Sequence, residues 1–107
     1  MNEADLKHCI DDYLTYSMNQ GRFYFDRLNS GEVIIIAGKT RRRIKLCREG
    51  TADFFVLQSG KVTYLECKSE TGKQSPAQKA FQILVEEQKA RSVIVRNVGA
   101  VMGVFGN

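Results

Sequence analysis

Only one histidine, His8, occurs in this 107-residue sequence, and its three cysteines, Cys9, Cys47 and Cys67, show no C-x-x-C spacing. Such a set cannot assemble a zinc site of familiar ligand spacing, and an odd number of thiols reads as reduced, small hydrophobic side chains. His8 and Cys9 are neighbours, so on a helix they point about 100° apart and do not form a catalytic couple. No apolar run approaches the roughly 20 residues of a membrane-spanning helix, the longest stretches being Val33 to Gly38 and Val98 to Phe105. The N-terminal MNEADLKH lacks the basic and apolar regions of a secretory signal, so a cytoplasmic location without membrane contact is expected. Gly72-Lys73 lacks the upstream glycine and the following hydroxyl residue of a phosphate-binding loop, which argues against a nucleoside triphosphatase. Internal repeats and low-complexity tracts are also missing.

What is present is an ordinary globular composition, 43% hydrophobic and 26% charged, at a length suited to one domain spanning residues 1–107. The net charge is +4, and its placement says more than its size. Lys39, Arg41, Arg42, Arg43, Lys45 and Arg48 crowd together while the acidic residues fall mostly elsewhere, pointing to a polyanionic partner.

Periodicity divides the chain into elements. Leu6, Cys9, Ile10, Tyr13, Leu14 and Met18 mark one face of a helix from Glu3 to about Met18, capped by Asn2. Glu3 sits in its first turn, where the helix dipole favours a carboxylate. Strands are expected at Arg22–Leu28, Glu32–Ala37 and Arg43–Cys47, the last after a basic loop, and together they would begin a sheet. The run Val33 to Ile36 suits either a strand buried on both faces or an apolar edge. Ser75-Pro76-Ala77-Gln78 is a helix start with cap, first-turn proline and capping-box glutamine, and the helix runs to about Lys89 with Ala77, Ala80, Phe81, Leu84 and Val85 as its stripe. Ser92–Val95 follows as a strand in a parallel crossover. The glycine-rich tail from Gly99 reads as a loose edge strand or disorder.

Pattern and chemistry coincide between Gly50 and Gln78. Ala52–Leu57 and Val62–Lys68 read as strands joined by a Ser59-Gly60 turn, and counting outward pairs Leu57 with Val62, Phe55 with Tyr64 and Asp53 with Glu66. Two carboxylates directly opposite destabilise a sheet unless water or a positive charge intervenes. Lys68, two residues beyond Glu66, falls on the same face. Hard oxygen donors of this kind suit Mg²⁺ or Mn²⁺, which bind one or two carboxylates together with substrate phosphate oxygens. The lysine can orient or deprotonate an attacking water, or stabilise charge developing on phosphorus. Metal-dependent phosphodiester hydrolysis is the reaction these three groups fit best.

Glu3, Gly50-Thr51-Ala52-Asp53, Glu66-Cys67-Lys68 and Ser75-x-x-Gln78 together resemble the VRR-NUC branch of the PD-(D/E)xK nuclease superfamily, over most of the chain from Glu3 to about Val95. Ala52 stands where the superfamily's name places proline. The resemblance implies a restriction-endonuclease-like α/β domain, a mixed β-sheet flanked by helices. It also implies that Asp53, Glu66 and the backbone carbonyl of Cys67 bind the metal, that Lys68 is the catalytic lysine, that Gln78 lies near the scissile phosphate and that Glu3 lies beside the metal site. Single-domain members of this branch look like phage and prophage proteins that resolve four-way DNA junctions as homodimers, so DNA and a second copy are the expected partners. In such a nuclease Lys39, Arg41, Arg42, Arg43, Lys45 and Lys73 would contact DNA phosphates outside the active site. The alternative is a non-catalytic DNA- or junction-binding module on the same fold.

Overall fold

A computed structural model describes residues 1–106. Along the chain run α1 (Glu3–Asn19), β1 (Tyr24–Arg27), β2 (Glu32–Ala37), β3 (Thr40–Lys45), β4 (Phe54–Gln58), β5 (Lys61–Cys67), α2 (Pro76–Glu87), β6 (Arg91–Val95) and α3 (Val98–Phe105). A four-stranded sheet has the order β1-β4-β5-β6, with the first two pairings antiparallel and β5-β6 parallel. This is the single α/β domain with a mixed, helix-flanked sheet that the pattern of elements predicts.

The β4-β5 hairpin has the expected register, Leu57 opposite Val62 and Phe55 opposite Tyr64. Ser59 and Gly60 both have positive φ, 51° and 77°, as a two-residue hairpin loop whose twist matches its strands requires. Alternation along β5 then separates two environments. Leu65 and Cys67 join Leu6, Ile10 and Leu14 of α1, Phe54 and Val56 of β4, and Val95 in the core. Tyr64 points the other way and meets Phe81 of α2 edge-on, with ring centroids 5.1 Å apart.

The capping box at the start of α2 is complete: Ser75 Oγ accepts from the Gln78 amide, and Gln78 Oε1 accepts from the Ser75 amide. Of the predicted α2 stripe, Ala77, Phe81 and Val85 are half-buried, whereas Ala80 and Leu84 are exposed.

Three expectations are corrected. β2 and β3 do not begin the sheet; they form a separate two-stranded ribbon that touches no other element among the described residues. The basic segment is not a loop but β3 itself. Of the two settings open to Val33 to Ile36, the structure has the apolar edge: the run is exposed on both faces of the ribbon. The tail is neither strand nor disorder. Asn97 caps α3 through the Ala100 amide, and Val101 and Phe105 bury themselves in the core, so tertiary packing overrides the low helix propensity of Gly99 and Gly103. Arg91 secures this helix by donating to the Val104 carbonyl and lying over the Phe105 ring.

Gly50 holds the loop before β4 against α2. Its φ is +88°, and a Cβ there would lie 2.4 Å from the Ala77 carbonyl oxygen. Gly50→Ala is expected to lower the stability to urea by about 1–3 kcal/mol or more. Gly38→Ala, also at positive φ but with nothing within 4 Å, should cost less.

Candidate active site

Helix α1 presents charges at every fourth position to one end of the sheet. Glu3, Lys7 and Asp11 share a face because residues four apart stack one turn above another. Each meets an opposite charge at the end of a different strand: Glu3 lies 3.7 Å from Lys68 after β5, Lys7 Nζ 3.1 Å from Asp53 Oδ1 before β4, and Asp11 3.7 Å from Arg27 at the end of β1. The sheet order places these strand ends side by side. The minus-plus-minus stripe on the helix therefore matches a plus-minus-plus row on the sheet.

The ladder between β4 and β5 stops at Phe54 opposite Leu65, so Asp53 and Glu66 are not the cross-strand pair expected from the register. Asp53 instead folds over the strand end: its amide donates to the Leu65 carbonyl, and its Oδ2 accepts from the Cys67 amide at 2.7 Å. The carboxylate thus caps the backbone of the Glu66-Cys67-Lys68 segment.

Glu66 is only 3% exposed, and its Oε2 has no hydrogen-bond partner among the described residues. Burial pushes its pKa above the usual 4.5, against the pull of Lys68 and of the Gln74 side chain, while Asp53 and Glu3 add to the rise. Lys68 is itself mostly enclosed, its side chain 12% exposed. The Cys67 thiol, buried and beside Asp53, is pushed up to about 12, so it is neutral at physiological pH and is not a nucleophile. What Cys67 can offer the site is its backbone.

Glu3, Asp53, Glu66 and Lys68 therefore come together. Gln78 sits at the start of α2 with its carbonyl oxygen committed to the capping box, and Lys73 is exposed in the loop before it. That loop is tied down by Arg96, whose Nη1 donates to the carbonyls of Ser69, Glu70 and Gly72. Lys39, Arg41, Arg42, Arg43 and Lys45 lie on the ribbon, all exposed. Two further residues belong to the site without being part of the motif. Lys7 could have been found from its spacing, since four residues from Glu3 puts both on one face of α1. Gln74, in the loop before α2, couples to Glu66 and donates to Gln82 at 2.9 Å, and nothing in its local sequence signals either contact.

Among the described residues no three His, Cys, Asp or Glu side chains cluster closely enough to hold a metal ion by themselves. The donor set on offer is two carboxylates and a carbonyl, within the range for Mg²⁺ or Mn²⁺, which keep several waters. The partnerless Oε2 of Glu66 fits such an ion, since a buried oxygen without a donor is costly until something positive reaches it. Asp53 would exchange or share Lys7 for the cation.

The raised Glu66 pKa carries a pH signature. A carboxyl group whose folded pKa exceeds its unfolded value contributes stability in full below about 4.5 and loses it as pH rises through the folded pKa. Glu66→Gln should therefore stabilise the metal-free protein at neutral pH, the gain shrinking as pH falls toward 4.5. Thermal melts in EDTA across that range check it, and added Mg²⁺ or Mn²⁺ should raise the melting temperature of the wild type but not of the variant. No protein-family model and no curated protein matches the chain, so the site stands on its own residues.

Proposed function

We propose that this chain is a Mg²⁺- or Mn²⁺-dependent, structure-selective DNA endonuclease that acts as a homodimer on four-way junctions. The observation that carries the reading is the buried Glu66 carboxylate, unsatisfied at one oxygen, enclosed with Lys68 beside a strand end that Asp53 caps. A buried carboxylate with one oxygen lacking a hydrogen-bond partner among the described residues, next to an enclosed lysine, is an expensive arrangement for stability alone, and perturbed groups of this kind concentrate at functional sites.

In this reading Asp53, Glu66 and the Cys67 carbonyl hold the cation, which when bound acts as a Lewis acid on the scissile phosphate. Asp53 has a second task, fixing the Cys67 backbone through its amide. Lys68, enclosed and drawn toward Glu3, positions water for attack or stabilises charge on the phosphoryl oxygens. Glu3 acts through Lys68, as a positioning residue. Gln78 keeps the start of α2 in shape beside the Gly50 loop. The exposed cations of β3 supply phosphate contacts at a distance from the chemistry, with Arg41, Arg43 and Lys45 on one face of the ribbon and Arg42 on the other.

One observation favours a second reading, a DNA-binding module without catalysis. Lys7 already neutralises Asp53. If that ammonium is a permanent counter-charge, the cation has one carboxylate fewer.

Labelled four-way junction and matched linear duplex, incubated with Mg²⁺, Mn²⁺ or EDTA, separate these readings. Paired, metal-dependent nicks in the junction are expected, with Lys68→Ala reducing the rate by about 10²- to 10⁴-fold and Glu66→Ala at least as much. Binding without cleavage under every metal condition would leave the non-catalytic module. Each phosphate-contacting cation removed from the ribbon, as in Arg41→Ala or Arg43→Ala, should flatten the dependence of log affinity on log salt by about 0.9. Titrations at several ionic strengths measure that slope.

A further inference from the structure

Among the described residues the β2-β3 ribbon finds no other element to pack its apolar residues against. Val33, Ile34, Ile35 and Ile36 are 41–67% exposed, although they form the most hydrophobic strand of the molecule. The ribbon touches no other element among the described residues. Two strands alone are marginal in water, and an exposed apolar edge is a template for further pairing.

The two free edges differ in charge. β3 carries Arg41, Arg42, Arg43 and Lys45, whereas β2 carries no cation and only Glu32 at its start. In a two-fold antiparallel pairing each residue must face one of the same alternation, so the axis passes through a residue. If β3 paired with itself about Arg42, Arg42 would oppose Arg42 and Arg41 would oppose Arg43, placing like charges directly across the strands. For β2 the same operation about Ile34 or Ile35 sets isoleucine against isoleucine and valine against isoleucine or alanine. Charge blocks one edge and leaves the other open.

We propose that a second copy of this chain occupies the β2 edge, so that two ribbons join into a continuous sheet ordered β3-β2-β2-β3 about a two-fold axis through Ile34 or Ile35. The contact is isologous and closes, whereas β2 against β3 of another copy would leave an edge free at each end and build filaments. Joining the β2 edges satisfies the backbone groups of both and brings the exposed isoleucines together. It also carries the two arginine strands to the outer edges, facing away from the seam. The inference deepens the homodimer of the proposed function, and it depends on neither metal nor cleavage.

Sedimentation of the full chain in EDTA without DNA tests it. The wild type is expected to sediment as a dimer and the double variant Ile34→Lys, Ile35→Lys as a folded monomer, with circular dichroism reporting the fold. Cysteine cross-linking in a Cys9→Ser, Cys47→Ser background supplies a reading that is independent of whether the lysine variant keeps its structure. Ile34→Cys or Ile35→Cys should oxidise to a disulfide-linked dimer, while Arg42→Cys on the outer strand should not. A monomeric wild type, a dimer untouched by the lysines, or cross-linking through Arg42→Cys would overturn the assignment. Dimerisation that appears only when DNA is added would overturn it as well, making nucleic acid the occupant of the ribbon. None of these outcomes bears on whether Glu66 and Lys68 catalyse cleavage.

Discussion

Withdrawing the Glu66 carboxylate from water, with one oxygen left without a donor among the described residues, sets a condition that the surrounding charges must meet. A buried carboxylate either takes up a proton or finds positive charge nearby. Lys68 supplies that charge, and it is held in turn by Glu3. The same end of the sheet contains Asp53, which would add repulsion if it were not bonded to the Cys67 amide and paired with Lys7. Helix α1 therefore does more than cover the core through Leu6, Ile10 and Leu14. Its other stripe distributes counter-charge along the strand ends, and a shift of one turn would leave Asp53 or Lys68 without its partner. Each partly exposed pair contributes little alone, so the row matters for how it orders the side chains.

Local chemistry determined which parts of this fold were legible beforehand. The β4-β5 register followed from a two-residue turn and a period of two, and the start of α2 followed from its cap, both being properties of a few adjacent residues. The limits of β4 and the loss of the Asp53–Glu66 pair did not follow, because the side chain of Asp53 replaces the next rung of the ladder. Lys7, far away in sequence, pairs with the other oxygen of the same carboxylate. Glu3, Asp53, Glu66 and Lys68 lie together at one end of the sheet, and Gln74 joins them through a loop whose course Arg96 dictates.

The misread segments share a physical cause. Hydrophobicity signals burial only if there is something to be buried against, and for Val33 to Ile36, whose pattern alone did not decide between a buried strand and an apolar edge, no other element among the described residues supplies it. A glycine-rich tail signals looseness only if the core has no gap for it. Here the Phe105 ring packs at a tilt against Phe23 with centroids 5.2 Å apart, and Val101 is fully buried, so the helix forms because its docking outweighs the cost of its glycines. In both cases the deciding partner lies outside the segment, once elsewhere in the chain and once, on the reading developed above, in another copy of it.

Lys7 gives the candidate site two possible counter-ions for one carboxylate. Its ammonium is a mobile point charge on a flexible stem, and its side chain is 28% exposed, so it can retreat to water when a stronger charge arrives. A divalent cation held as proposed would bring twice the charge and would be shared with Glu66, with which Lys7 forms no ion pair among the described residues. The ammonium would then serve as a placeholder, limiting repulsion among Asp53, Glu66 and Glu3 until the cation binds. If that is its role, removing Lys7 should destabilise the metal-free protein while strengthening its affinity for Mg²⁺ or Mn²⁺. Isothermal titration and EDTA melts of Lys7→Ala separate this from a permanent ion pair, for which the loss of stability would come with no gain in metal affinity.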